Sequence, residues 1–129
     1  MADIGKSVLL ADDDLTLSEM YSVRLKAEGF NVIVARDGQE ALDKTKESHP
    51  NVILLDVMMP KYSGIEVLKK LKADPDTKDI PVLILTALVQ DKQKMDSMAS
   101  GADDYIVKSE SMPGDVVAKV HAALENSKA

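Results

Sequence analysis

The sequence predicts an α/β domain built on a doubly wound, five-stranded parallel sheet. Three observations support this prediction. Five short aliphatic runs recur along the chain, and each is separated from the next by a stretch long enough to form a helix. The third run, Val52 to Leu55, is apolar at every position, as expected of a central strand that is covered on both faces. A length of 129 residues with 45% hydrophobic content suits one compact domain, residues 1–129, with a real core.

The order of the strands follows from their number and length. The predicted strands are Val8–Ala11, Val32–Ala35, Val52–Leu55, Val82–Leu85 and Tyr105–Val107. Parallel strands that follow one another are joined by right-handed crossovers. Among the common doubly wound orders we choose 2-1-3-4-5, the flavodoxin-like (βα)5 arrangement, because five strands of this length match it. This order places the first and third strands side by side, and ligands of such sheets bind beyond the carboxyl ends of the strands.

Capping and turn residues predict where the five helices begin and end. Ser63 and Glu66 have the spacing of a capping box, and Pro113 is a residue favoured in a first turn. The first helix is predicted to begin at Asp14–Thr16 and to end at Gly29, and the second to begin after Asp37-Gly38. The third is predicted from Ser63 to Asp74-Pro75, the fourth over about 91–100 with Gly101 at its end, and the fifth from Pro113 onward. The apolar residues expected on the inner faces are Leu17, Met20, Tyr21 and Leu25, then Ala41 and Leu42, then Ile65, Leu68 and Leu71, then Met95, Met98 and Ala99, then Val117, Val120 and Leu124.

Charge and composition exclude several classes of function. The net charge of −6 disfavours nonspecific binding to nucleic acid or to an anionic membrane, and favours a cationic partner or a metal. The chain has no cysteine, which excludes disulfides, thiolate metal sites and a cysteine nucleophile. Its start lacks the apolar core of a signal peptide, and its longest apolar stretch, Val82 to Val89, is too short to span a bilayer. We therefore expect a soluble, cytoplasmic protein.

Acidic residues follow two strands that the predicted order makes neighbours. Asp56 ends the third strand, and Asp12, Asp13 and Asp14 follow the first. Because like charges that crowd in a cleft repel one another, they demand a counterion. A hard divalent cation with oxygen ligands suits them, Mg²⁺ first and Mn²⁺ second. For Asp14 the better interpretation is a cap of the first helix, whereas Asp12 and Asp13 are assigned to the metal.

The same edge of the sheet receives further polar groups. Thr86 ends the fourth strand and Lys108 the fifth, so a hydroxyl and an ammonium join the carboxylates there. With these residues, the chain resembles the receiver domain of two-component response regulators over essentially its whole length. The resemblance is carried by LLADDD, ILLDVMMPKYSG, ILTA and YIVK, in this order and spacing.

The resemblance implies a role for each residue. Asp56 is similar to the phosphoacceptor and Asp12 and Asp13 to the metal-holding pair. Thr86 and Lys108 correspond to the residues that contact the phosphoryl group. The remaining implied residues are Tyr105, the switch aromatic, and Met58, whose backbone carbonyl is the further metal ligand. One departure is Lys108-Ser109 in place of the family's Lys-Pro, for which we expect a trans peptide because a non-proline cis bond costs roughly 3 kcal/mol.

The implied function is signalling rather than ordinary enzymatic turnover. A histidine kinase or a histidine phosphotransfer protein would donate the phosphoryl group from a phosphohistidine, and the domain would catalyse only this transfer and its own slow dephosphorylation. Output would reach a protein partner through the fourth helix, fifth strand and fifth helix (the α4-β5-α5 surface), with no direct contact to nucleic acid or membrane. The candidate contacts are Lys92, Met95, Tyr105 and Lys119.

The lifetime of the phosphorylated state is predicted from two further residues. Met58 lies two positions after Asp56, and Leu88 lies two positions after Thr86. Hydrolysis of an acyl phosphate requires a water placed in line, and neither side chain holds a water well. We therefore expect a long-lived phosphorylated state.

The strongest alternative is a haloacid-dehalogenase-like phosphohydrolase. Asp12, Asp14 and Thr16 satisfy its D-x-D-x-T nucleophile motif, with Asp12 as nucleophile. However, the chain has no room for a substrate-selecting cap, and its other acidic pair, Asp103-Asp104, precedes a strand and is expected at the opposite end of the sheet. A mononucleotide binder is disfavoured because no glycine-rich phosphate loop follows the first strand. A receiver that serves only as a docking module is disfavoured by the intact acidic triad.

Overall fold

The computed structural model describes residues 5–57, 59, 61–86, 96–107 and 113–126. Five strands alternate with helices along this part of the chain. They are β1 (Ser7–Ala11), α1 (Leu15–Ala27), β2 (Asn31–Ala35), α2 (Gly38–Ser48), β3 (Val52–Asp56), α3 (Gly64–Ala73), β4 (Val82–Thr86), the helical residues 96–99 (α4), β5 (Asp104–Val107) and α5 (Pro113–Asn126).

The strands form one parallel sheet in the order β2-β1-β3-β4-β5, which confirms the predicted fold class. The register brings the ends of the strands together at one edge. Ala11 is paired with Leu55, Asp56 with Leu85, and Thr86 with Val107. The residues that follow β1 and β3 therefore emerge side by side, with the end of β4 next to them.

Two hydrophobic cores lie on opposite faces of the sheet. Successive side chains of a strand point to opposite faces, so Leu10 and Leu54 belong to one core and Leu9 and Ile53 to the other. The first core is closed by α1 and α5, and the second by α2 and α3. All five residues of β3 are buried, which is why a central strand can carry an uninterrupted apolar run.

The predicted starts of the first three helices are confirmed by their hydrogen bonds, whereas the predicted start of the fourth, near residue 91, lies outside the described residues. The carboxylate of Asp14 accepts from the N–H of Leu17 at 3.0 Å, and that of Asp37 accepts from the N–H of Glu40 at 2.8 Å. Ser63 and Glu66 form the reciprocal capping box at α3. Each cap satisfies a backbone donor that the first helical turn leaves without an intrahelical partner.

Two predictions of buried methionines are wrong. Met20 is 43% exposed and Met98 is 44% exposed, and Ala99 is exposed as well. The buried face of α1 runs instead through Ser18, Tyr21, Ser22 and Leu25, the i, i+3, i+4, i+7 positions of one helix face. In α4 the fully buried residue is Ser97, the immediate neighbour of Met98. In both helices serine lies inward where hydrophobicity alone favours methionine.

Leu17, Leu42 and Ile65 are only partly buried, at the borders of the two cores. The other residues expected on inner faces that the structure describes are buried, namely Tyr21, Leu25, Ala41, Leu68, Leu71, Val117, Val120 and Leu124. Within the described residues, no helix combines the length and the apolar character needed to cross a bilayer.

A carboxylate cluster at the carboxyl edge of the sheet

Three carboxylates converge where β1 and β3 end. Oxygen atoms of Asp12, Asp13 and Asp56 all lie within 4.8 Å of one another. Asp12 is fully buried and Asp56 is 4% exposed, whereas Asp13 is exposed. The cluster thus combines two side chains held in the protein with one that faces solvent.

Backbone hydrogen bonds fix the β1 side of the cluster. The N–H of Asp12 donates to the carbonyl of Ala35 at 3.0 Å, so the chain beyond β1 is still tied to the end of β2. One carboxylate oxygen of Asp12 accepts from the N–H of Asp14 at 2.9 Å. Asp14 itself caps α1, in agreement with the interpretation that separates it from Asp12 and Asp13.

The β3 side is fixed by a glycine. The N–H of Gly64 donates to the carbonyl of Val57 at 2.9 Å, which closes the loop after Asp56. A Cβ atom on residue 64 would lie 2.2 Å from the backbone oxygen of Asp56. Only glycine therefore allows the first residue of α3 to pack against the backbone of Asp56. The sequence indicated a turn at Gly64 but not this contact.

Thr86 and Tyr105 lie on the neighbouring strands. Thr86 is fully buried at the end of β4. Tyr105 is paired with Ile84 and packs, partly buried, against the core beneath α2 and α3. Burial raises the pKa of the Tyr105 hydroxyl above its ordinary value, so this side chain is a neutral hydrogen-bonding group at physiological pH.

Several predicted site residues lie outside the described residues. They are Met58, Leu88 and Lys108, together with Lys92, Met95 and Ser109. The predictions attached to them, including the metal-ligand carbonyl of Met58, the phosphoryl lifetime and the geometry of Lys108-Ser109, stay predictions.

The donor set of the cluster fits a hard divalent cation. Carboxylate oxygens are the ligands that Mg²⁺ and Mn²⁺ prefer, and Mg²⁺ is held in proteins by few carboxylates. Three carboxylates within 4.8 Å of one another also repel, and a cation held between them relieves this repulsion. Asp12, Asp13 and Asp56 are thus the residues that could hold the ion.

Comparisons with known proteins identify the family of the chain. A sequence profile of the family described as "Response regulator receiver domain" matches residues 8–121. The chain is 39% identical over 124 residues to the phosphate regulon transcriptional regulatory protein PhoB of Pseudomonas aeruginosa, a match that covers 96% of this chain and 54% of PhoB. It is 38% identical over 127 residues to the DNA-binding response regulator MtrA of Mycobacterium bovis, covering 98% of this chain and 54% of MtrA. The chain therefore spans about half the length of these curated relatives.

Solved structures show the same architecture. The receiver domain of the Francisella response regulator 1452 superposes with a TM-score of 0.88 at 32% identity, covering 96% of this chain and all of that one. The chemotaxis protein CheY4 of Vibrio cholerae gives a TM-score of 0.86 at 31% identity, covering 92% of this chain and 98% of that one. These comparisons give no support to the phosphohydrolase alternative. From the sequence match, the fold and the acidic cluster, we conclude that the chain belongs to the response regulator receiver domain family of two-component systems.

Proposed function

We propose that this receiver accepts a phosphoryl group on Asp56 in a Mg²⁺-dependent reaction. The donor is the phosphohistidine of a histidine kinase or of a histidine phosphotransfer protein. The observation that carries the proposal is the convergence of Asp12, Asp13 and Asp56 within 4.8 Å at the end of a buried central strand. An aspartate that is merely solvated at a strand end is not expected to lie so close to two further carboxylates, because their charges repel one another.

The chemistry assigned to Asp56 is an in-line displacement. A carboxylate oxygen of Asp56 forms the new P–O bond while the P–N bond of the phosphohistidine breaks, and the electron pair stays on the imidazole nitrogen, which then takes a proton. Such transfers pass through a loose transition state that mainly requires alignment and neutralised oxygens. Burial of Asp56 at the end of β3 supplies the alignment, since its backbone is fixed by sheet pairing on one side and by Gly64 on the other.

The neighbouring residues complete the proposed site. Asp12, Asp13 and Asp56, with the backbone carbonyl of Met58, would hold the ion. When bound, Mg²⁺ would neutralise carboxylate charge and a developing phosphoryl oxygen. Lys108 and Thr86 are assigned to the other phosphoryl oxygens by ion pairing and hydrogen bonding.

We infer that the output is a change in protein contacts. The buried hydroxyl of Thr86 moves toward the phosphoryl group, and Tyr105 turns into the vacated space, which alters the surface of α4, β5 and α5. This is a two-state equilibrium that phosphorylation biases. PhoB and MtrA are named as a transcriptional regulatory protein and a DNA-binding regulator, but the matched segment is about half of each. For the residues of this chain we keep a protein partner, because the net charge is −6. A cytoplasmic location is likewise an inference from the sequence.

The test is to phosphorylate the protein with a small phosphodonor such as acetyl phosphate and Mg²⁺, and to map the modified residue by mass spectrometry. We expect labelling of Asp56 in the parent and none in Asp56→Asn, with an unchanged circular dichroism spectrum. Phosphate on Asp12 would instead support the phosphohydrolase, and labelling of a folded Asp56→Asn at another residue would contradict the proposal.

A further inference from the structure

The first turn of α2 packs directly against the loop that leads into α3, residues 61–63. Gly38, the first residue of α2, is buried in this contact. A Cβ atom on residue 38 would lie 2.5 Å from both the Cβ and the backbone oxygen of Tyr62. Gly38 is therefore glycine because of this close approach, and the absence of its side chain determines how near the loop comes to α2.

An ion pair reinforces the same contact. The ammonium of Lys61 lies 3.6 Å from the carboxylate of Asp37, the residue that caps α2. Lys61 adopts a φ of 71°, a left-handed conformation that side chains disfavour. The Glu40 N–H, with a further contribution from Lys61, holds the pKa of Asp37 below its ordinary value, so the carboxylate is ionised at neutral pH. Lys61 thus keeps a disfavoured backbone conformation next to Asp37, the charged residue that caps α2.

Contacts with the core and with α3 hold the loop as well. The ring of Tyr62 packs against the core beneath α2 and α3, and the ammonium of Lys70 lies 5.0 Å from the centre of this ring. Two residues later, Gly64 contacts the backbone of Asp56 and bonds to the carbonyl of Val57. A displacement of Tyr62 would therefore be transmitted over two residues to the backbone that carries Asp56.

We propose that Gly38 is a positioning residue for the metal and phosphoacceptor site. It acts through Tyr62 by setting the distance between α2 and the loop, and this inference rests on the proposed function of Asp56. In the sequence, Met58, the predicted source of the further metal-ligand carbonyl, lies between Asp56 and this loop. Mg²⁺ demands a near-ideal octahedral geometry, so its affinity reports small displacements of its ligands.

The size of the expected displacement follows from the contact itself. An ordinary van der Waals contact begins at 3.4 Å, so a Cβ atom placed 2.5 Å from Tyr62 requires a shift of about 0.9 Å. The neighbouring atoms include the backbone of Tyr62 and not only a flexible side-chain end, so the loop itself must move. A misplacement of about 1 Å in a catalytic arrangement costs up to roughly 100-fold in rate. We expect a loss of about tenfold in Mg²⁺ affinity.

The experiment compares Gly38→Ala with Gly114→Ala. Gly114 also lies in the first turn of a helix, but the nearest atom to its added Cβ would be the guanidinium of Arg24 at 3.5 Å, an ordinary contact. Neither substitution changes charge, so altered metal affinity in a folded variant reports geometry. Mg²⁺ dissociation constants are measured by amide chemical shift titration in the absence of any phosphodonor. We expect an increase of about tenfold for Gly38→Ala and less than twofold for Gly114→Ala.

Phosphorylation by acetyl phosphate provides a second measurement. In Gly38→Ala, labelling should remain on Asp56, become slower at low Mg²⁺, and recover in part at saturating Mg²⁺. If folded Gly38→Ala binds Mg²⁺ as the parent does, the inference is wrong and Gly38 serves stability alone.

Tyr62→Ala tests the same inference in case Gly38→Ala does not fold. This variant introduces no overlap and removes the ring that anchors the loop, so the Mg²⁺ dissociation constant should rise several-fold. An unchanged constant in folded Tyr62→Ala contradicts the inference. If the parent neither binds Mg²⁺ nor is labelled on Asp56, the proposed function fails with it. If the parent does both and the variants match it, only the inference fails.

Discussion

The two edges of the sheet carry acidic residues in opposite arrangements. At the carboxyl edge, Asp12, Asp13 and Asp56 face one another within 4.8 Å. At the amino edge, the ammonium of Lys119 lies 2.9 Å from the carboxylate of Asp104. There Asp103 accepts from the N–H of Val82 at 2.8 Å and has the ammonium of Lys72 at 3.7 Å. One edge brings like charges together, and the other places a lysine beside Asp103 and another beside Asp104.

This difference separates acids that are paired within the fold from the acids to which we assign the proposed chemistry. A matched acid at a strand start is explained by its own lysine and backbone partners. A convergence of three carboxylates carries a repulsive cost that folding alone does not explain. Cavity size does not make this distinction, since a cavity of about 460 Å³ lies at the amino edge, between Asp79, Asp103, Asp104 and Lys119. The arrangement of charge, rather than the shape of the surface, therefore indicates the candidate site.

The largest expected effect is on phosphotransfer. Asp13→Asn removes one carboxylate of the cluster, and labelling by acetyl phosphate should slow by roughly 100-fold, the order expected when one group that stabilises transition-state charge is lost. Asp103→Asn is the matched control at the amino edge, because asparagine keeps an oxygen that accepts from the N–H of Val82. Initial rates of labelling at fixed Mg²⁺ check both variants.

Equal losses of labelling rate in Asp13→Asn and Asp103→Asn would contradict the distinction between the two edges, because both edges would then affect the reaction. Normal labelling of Asp13→Asn would remove Asp13 from the metal site.

A smaller effect concerns acids that are paired for stability. Lys46 lies 2.6 Å from Asp74 and, with the N–H of Asp76, holds the pKa of Asp74 below its ordinary value of 3.8. A lowered folded-state pKa means that Asp74 contributes stability above the unfolded pKa and loses this contribution as the pH falls through the folded pKa. The parent should therefore be more stable than Asp74→Asn at pH 7, and the difference should vanish well below pH 3.8.

Urea unfolding of both proteins at pH 7 and at pH 2.5 measures this difference. A gap that is the same at both values would show that the carboxylate charge of Asp74 does not stabilise the fold.

Most of the fold could be predicted because its signals are local. The five aliphatic runs, the capping residues and the central strand follow from pattern alone, and the strand order then brings Asp12 next to Asp56. The exposure of Met20 and Met98 does not follow from the sequence, because hydrophobicity does not report that Ser18, Ser22 and Ser97 occupy the buried positions. The contacts of Gly38 with Tyr62 and of Gly64 with Asp56 could not be predicted, since each depends on how elements distant in the chain or separated by a loop pack together.

We infer that the carboxyl edge binds a divalent cation and that the amino edge does not. Thermal unfolding with and without millimolar Mg²⁺ tests it most directly, since a ligand that binds only the folded state stabilises it by mass action. A Mg²⁺ concentration ten times the dissociation constant should add about 1.4 kcal/mol, or roughly 5 °C in melting temperature. We expect this gain in the parent and in Asp103→Asn, and its loss in Asp13→Asn. The same gain in Asp13→Asn, or none in the parent, would contradict it.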